Sequence, residues 1–171
     1  MDESKRAGYV LASVAVADPA PVRRQVQGLV VPGRRRLHMN HEHVRHRRLI
    51  VSTLVATPIE ATVYDAARRY QTDLAARAAC LAALVEDLAD AGGDTVMVIE
   101  QDDSLVRSDR HELYRLARSS GITDLVEYHH RRPHEELLLA LPDVVAWCWV
   151  RSGDWRRRVA PILGDVRHVG S

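Results

Sequence analysis

Apolar positions along this chain switch repeatedly between a two-residue and a three-to-four-residue period, and the switches predict a succession of strands and helices. Residues 8–16, Gly-Tyr-Val-Leu-Ala-Ser-Val-Ala-Val, form a β-branched apolar run that reads as a strand buried on at least one face. Asp18 then caps a short helix with Pro19 or Pro21 in its first turn, and Val22, Val26, Leu29 and Val30 recur at helical spacing before Pro32-Gly33 ends it. Arg35–Met39 predicts a strand, and Glu42–Ala56 a helix with Val44, Leu49, Val51, Leu54 and Val55 as candidate inward residues. Ile59–Tyr64 alternates apolar and polar residues as a half-buried strand does.

The clearest helix spans Ala66–Ala91, with Leu74, Ala78, Leu81, Val85 and Leu88 at three- and four-residue steps and Gly92-Gly93 as its stop. A strand over Thr95–Glu100, a helix over Arg107–Ser120 closed by Gly121 and a strand over Asp124–Tyr128 follow. Then come a helix from Pro133 to about Val150, a short one from Trp155 to Leu163, and a loose tail. Early strands that form a meander, then alternating helices and strands joined by crossovers, predict an α/β protein with a largely parallel half-sheet. The order resembles that of a ribonuclease H-like domain, which implies a mixed central sheet flanked by helices.

At 171 residues the chain fits one domain over 1–171. No run of ~18 to 20 apolar residues predicts a membrane span, and the acidic N-terminus lacks the pattern of a secretion signal, so a cytoplasmic location follows. Cys80 and Cys148, both in apolar helical patterns, read as buried free thiols. The net charge of +1 argues against coating nucleic acid by bulk electrostatics, but its distribution says more. Lys5 is the single lysine, and arginine clusters at 34–36, 45–48, 131–132 and 156–158. The planar guanidinium fork suits phosphate recognition. An arginine-, alanine- and valine-rich composition also follows from a GC-rich genome, the plainer reading of any one cluster.

Three short motifs, Asp2-Glu3-Ser4, Arg36-Leu37-His38 and Leu139–Ala146 around Asp143, together resemble those of a large, mostly uncharacterised family, domain of unknown function 3800, whose members look ribonuclease H-like. Asp2-Glu3-Ser4 matches its opening Asp-Glu-Ser-Gly, with Lys5 in place of the glycine and a Gly-Tyr-Val-Leu-Ala strand following. Arg36-Leu37-His38 is similar to the family's charged residue beside Leu-His after the third strand. The helix pattern Leu-Gln-x-Ala-Asp-x-x-Ala lines up with Leu139–Ala146, keeping Asp143 while Ala140 and Pro142 replace the glutamine and alanine. Family members carry strand residues ahead of Asp-Glu-Ser whereas this chain begins at Met1, which implies a truncated first strand or a start placed too late.

Phosphodiester hydrolysis of the two-metal kind needs several carboxylates around two Mg²⁺ or Mn²⁺ ions about 3.5 to 4 Å apart, since hard cations take carboxylate oxygens. Asp2 and Asp143 are the best ligand candidates, and Glu100 is the preferred third with Asp103 a close second for that place, both leaving a strand at the edge where sites form in open α/β sheets. Asp102 and Asp103 also suit the role of helix caps before Ser104. Glu136 lies two helical turns before Asp143 and is expected on the same face, although Glu135 and Glu136 after Pro133 equally fit a helix start. Asp143 sits in an apolar stretch, where a carboxylate is costly unless paired or metal-bound. Pro142 either kinks that helix or marks a fresh start. Glu3 and His38 complete the candidate catalytic set, His38 and neighbouring arginines lining the substrate side as phosphate contacts or as acid or base.

The histidines of 38–46 and 129–134 have spacings that suit zinc, but candidates are many and arginines interleave them. No glycine-rich nucleotide loop and no Gly-x-Ser-x-Gly elbow is present, and Trp147, Trp149 and Trp155 read as core or interface. The sequence thus predicts a divalent-metal-dependent nuclease, or alternatively a degenerate ribonuclease H-like domain that binds nucleic acid or a protein partner, with a homodimer left open.

Overall fold

The computed structural model describes residues 8–170. Five strands, β1 (Tyr9–Val16), β2 (Ile59–Ala67), β3 (Thr95–Glu100), β4 (Val126–Arg131) and β5 (Leu163–His168), alternate with six α-helices among the described residues. The helices are α1 (Pro19–Leu29), α2 (Val44–Val55), α3 (Asp73–Ala91), α4 (Val106–Ser119), α5 (Ala140–Arg151) and α6 (Gly153–Val159). The strands form a three-stranded sheet in the order β1-β2-β5 and a two-stranded sheet of β3 and β4. The α/β class expected from the alternation is therefore observed, and among the described residues no helix is long and apolar enough to cross a membrane.

The chain divides into two compact units. One comprises Val10–Val63 and Pro133–Val166 and holds most of β1, β2 and β5 together with α1, α2, α5 and α6. Its core is built from Val22 and Val26 of α1, Ile50, Val51 and Leu54 of α2, Leu141, Val145 and Cys148 of α5, and Val159 and Ile162, with Val10, Ala12, Val14 and Val16 of β1 packed against it. Helix α1 starts as its sequence demands: the Asp18 carboxylate accepts the Ala20 N–H at 3.3 Å and Pro19 takes the first helical position. The predicted Arg35–Met39 strand does not form. Leu37 and Met39 are buried at alternate positions, which imitates a strand, but the His38 ring accepts the Asn40 N–H and starts a 3₁₀ turn over Met39–His41. Arg47 then takes the Met39 and Asn40 carbonyls at 2.8 and 3.2 Å, so a side chain satisfies groups a ladder would have used.

The helix expected from Pro133 begins instead at Ala140, after a 3₁₀ turn over Leu137–Leu139 that Glu136 caps by accepting the Leu138 N–H at 3.0 Å. Glu136 therefore does not share a helix face with Asp143. Pro142 lies in the first turn of α5, where a missing N–H leaves no hydrogen bond unmade, so it starts the helix rather than kinking it. The expected loose tail is β5, missed because Leu163 and Val166 are its only aliphatic residues.

The other unit comprises Tyr64–Arg132 with the stretches up to Tyr9 and from Arg167. β3 and β4 run parallel in a register from Thr95↔Val126 to Glu100↔Arg131, as the crossover pattern predicts, although β4 begins and ends later than the expected 124–128. Strand β2 extends to Ala67, so α3 starts at Asp73 rather than Ala66. Thr72 caps it by accepting the Ala75 N–H at 3.1 Å. Helix α3 buries Ala76, Cys80, Leu81, Ala83, Leu84 and Val85, and α4 buries Leu113, Leu116 and Ala117.

Candidate functional site

Within the β1-β2-β5 unit, the residues ahead of α2 bring Arg36 and His38 to Asp143 of α5, and Arg47 of α2 and Arg151 lie on Trp147 one turn further along α5. Asp143 falls in the first turn of α5, where the helix dipole favours an acid. Burial is the largest influence on its carboxyl and pushes it above the usual carboxylate range, while the charges of His38 and Arg36 and a hydrogen bond from the Met39 N–H pull the other way. His38 accepts the Asn40 N–H through Nδ1 at 3.3 Å. Its ring stacks on His41 with centroids 4.7 Å apart.

Trp147 lies one turn beyond Asp143 on α5. Its indole N–H donates to Asn40 Oδ1 at 2.8 Å, and Trp155 meets it edge-on at 5.1 Å. The guanidinium groups of Arg47 and Arg151 lie over its ring at 4.9 and 5.1 Å from the centroid. The planar cation is attracted by the ring quadrupole and loses little freedom on stacking, so these two charges are held in place rather than trailing in solvent. Beside them Glu42 is buried between Arg34 at 2.7 Å and His46 Nδ1 at 2.6 Å, which fastens the loop to the start of α2.

A second polar constellation belongs to the β3–β4 unit. Asp109, in the first turn of α4 and 3% exposed, accepts two hydrogen bonds from Arg77 at 2.9 and 2.8 Å. The buried His130 of β4 places Nε2 3.4 Å from the same carboxylate, and Arg77 also donates to the Tyr9 hydroxyl at 3.2 Å. The hydrogen bonds to Asp109 raise the pKa of Arg77 despite burial, and burial raises that of Tyr9. Every member of this network has a partner of opposite or complementary character, which is the condition for burying charge.

The sequence-predicted residues are distributed as follows. Asp2 and Glu3 lie outside the described residues. Asp143 and His38 are brought together. Glu136, near them in sequence, is committed to Arg23 at 2.7 Å and to its cap. Glu100 ends β3 opposite Arg131, and Asp103 in the next turn accepts from Gln101 at 2.7 Å and from Arg132 at 3.1 Å. Asp102 takes the Ser104 N–H at 2.9 Å in the turn before α4, close to the capping role expected of it. Among the described residues no three histidine, cysteine, aspartate or glutamate side chains are grouped so as to hold a metal ion. Sequence reasoning read Trp147 as core or interface, missed the parts played by Asn40 and by Arg151, which lies in none of the arginine clusters, and missed the Arg77–Asp109–His130 network altogether. No protein-family model matches the chain, and no curated protein or solved structure matches it either.

Proposed function

We propose that this chain is a ribonuclease H-like domain, related to the domain of unknown function 3800 family, that binds nucleic acid through the face around Asp143. The observation that carries the reading is that Arg36 and His38 lie by Asp143 while Arg47 and Arg151 are held on the Trp147 ring one turn further along the same helix. Guanidinium and imidazole N–H groups are the donors that phosphate oxygens accept from, and a rigid arrangement loses less entropy on binding. A global charge of only +1 makes this local concentration the relevant quantity.

One observation favours a second reading, hydrolysis assisted by Mg²⁺ or Mn²⁺. Asp143 is a carboxylate kept partly out of water, and a divalent cation there would favour its ionised form and supply the Lewis acid.

Fluorescence anisotropy with labelled RNA, DNA and hybrid probes at low salt tests both readings, read alongside gels of the same mixtures. Binding to an intact probe, weakened in Arg36→Ala/His38→Ala, supports the binding reading; no binding of any probe contradicts it. Probe cleavage that needs Mn²⁺ or Mg²⁺ and is lost in Asp143→Asn establishes the enzymatic one.

A further inference from the structure

We infer that Arg47 and Arg151, fixed on the Trp147 ring, form a phosphate clamp that reads the nucleic-acid backbone and not its bases. The inference rests on the nucleic-acid-binding reading above and specifies how binding occurs. Single-stranded nucleic acid is commonly held by bases stacked on aromatic rings, each worth about 1–3 kcal/mol. Trp147 is already engaged by two guanidinium groups, by Trp155 at its edge and by Asn40 at its N–H. It serves as the platform for cations, and a base would have to displace one of them to stack there.

The cations themselves are positioned for phosphate. Arg47 spends Nε and one N–H of Nη2 on the Met39 and Asn40 carbonyls, which locks the plane of a group that carries five donors. The hydrogen-bonded turn that Arg47 braces also carries His38, next to Asp143. Both guanidinium carbons lie close to one centroid, so they are at most about 10 Å apart. A duplex carries one negative charge per about 1.7 Å of axis, so that span meets several phosphates whatever the sequence.

The test is the salt dependence of affinity, measured by anisotropy between 50 and 200 mM salt for duplex probes of contrasting base composition. Each phosphate that the protein no longer neutralises lowers the slope of log K against log salt by about 0.9. The wild type should bind duplexes, and separately single strands, of contrasting composition within about threefold of one another, a difference smaller than a single stacked base would produce on a single strand. Arg151→Ala, at an exposed position in the last turn of α5, should lower the slope by about 0.9, and Arg47→Ala/Arg151→Ala by about twice that. Arg24→Ala on α1 should leave it unchanged. Circular dichroism melts of each variant establish that the fold is retained, and Arg151→Ala alone carries the test if Arg47→Ala loosens the turn. Unchanged slopes, or affinity that follows base composition, overturn the clamp while leaving nucleic-acid binding standing. Failure of the wild type to bind any probe at 50 mM salt overturns both.

Discussion

Replacing Asp109 by alanine should be among the most destabilising single changes in the β3–β4 unit. The substitution leaves the Arg77 guanidinium, with 17% of its side chain exposed, without its two-pronged partner, and removes the neighbour of a His130 ring that is 3% exposed. Breaking a buried ion pair from one side costs about 3–5 kcal/mol because the remaining charge stays desolvated. Arg77 keeps the Tyr9 hydroxyl and some contact with water, which places the loss near the lower end, about 3 kcal/mol. The acid is also lost from the first turn of α4, worth a further ~0.3–1 kcal/mol. For a chain of this size each kcal/mol moves the melting temperature by about 2–4 °C, so a total loss of about 3.3–4 kcal/mol is expected to lower it by roughly 7–16 °C by circular dichroism. The paired replacement Arg77→Met/Asp109→Leu removes both charges and should recover most of that loss. A cost below about 1 kcal/mol for Asp109→Ala, the scale of an exposed ion pair, would refute the assignment of this network as a buried one.

Asp143→Asn should stabilise the protein increasingly as pH rises. Burial raises the folded-state pKa of Asp143, so its contribution to stability is present below the ordinary carboxylate value and is lost as pH climbs through the folded value. The variant-minus-wild-type melting difference should therefore grow upward from about pH 4, and a difference flat with pH would contradict the direction of the shift. Burial pushes the Cys148 thiol up to about 12 and both cysteines are buried, so a thiol reagent should label neither until the protein is unfolded. Gly8→Ala should cost at least about 1–3 kcal/mol, because Gly8 has φ +90° and a Cβ there would sit 2.1 Å from the Ala67 carbonyl oxygen. Gly164→Ala should cost much less, since the obstacle is the Glu60 side chain, which can swing away. Chemical denaturation of the two glycine variants compares them directly.

Elements with strong internal periodicity were legible from the chain alone. β3 begins and ends where the apolar run does, and α1 starts at the Asp18-Pro19 pair, because its cap and first-turn proline are local chemistry. Arg35–Met39 misled because two buried residues at alternate positions fit a strand and an irregular turn equally well. What decided it was Arg47, eight residues away from Met39, satisfying the backbone from the side. The start of α5 was obscured by three successive leucines that fit a 3₁₀ turn as readily as a helix, and this in turn displaced Glu136 from the face assigned to it. Asp143 and His38 were both visible as candidates, but their proximity depends on the Met39–His41 turn meeting α5, which no spacing encodes. The Arg77–Asp109–His130 network joins three elements through residues whose sequence neighbours are ordinary charged positions on helices and an edge of a strand.

Hydrogen exchange of the intact protein with and without a duplex oligonucleotide tests the central claim most directly, because it locates the contact without presupposing a reaction. Slowed exchange confined to peptides covering residues 36–47 and 143–155 is the predicted result. Protection confined to peptides from residues 95–132, or no protection at oligonucleotide concentrations that saturate anisotropy, would contradict the placement of the nucleic-acid site around Asp143 and Trp147.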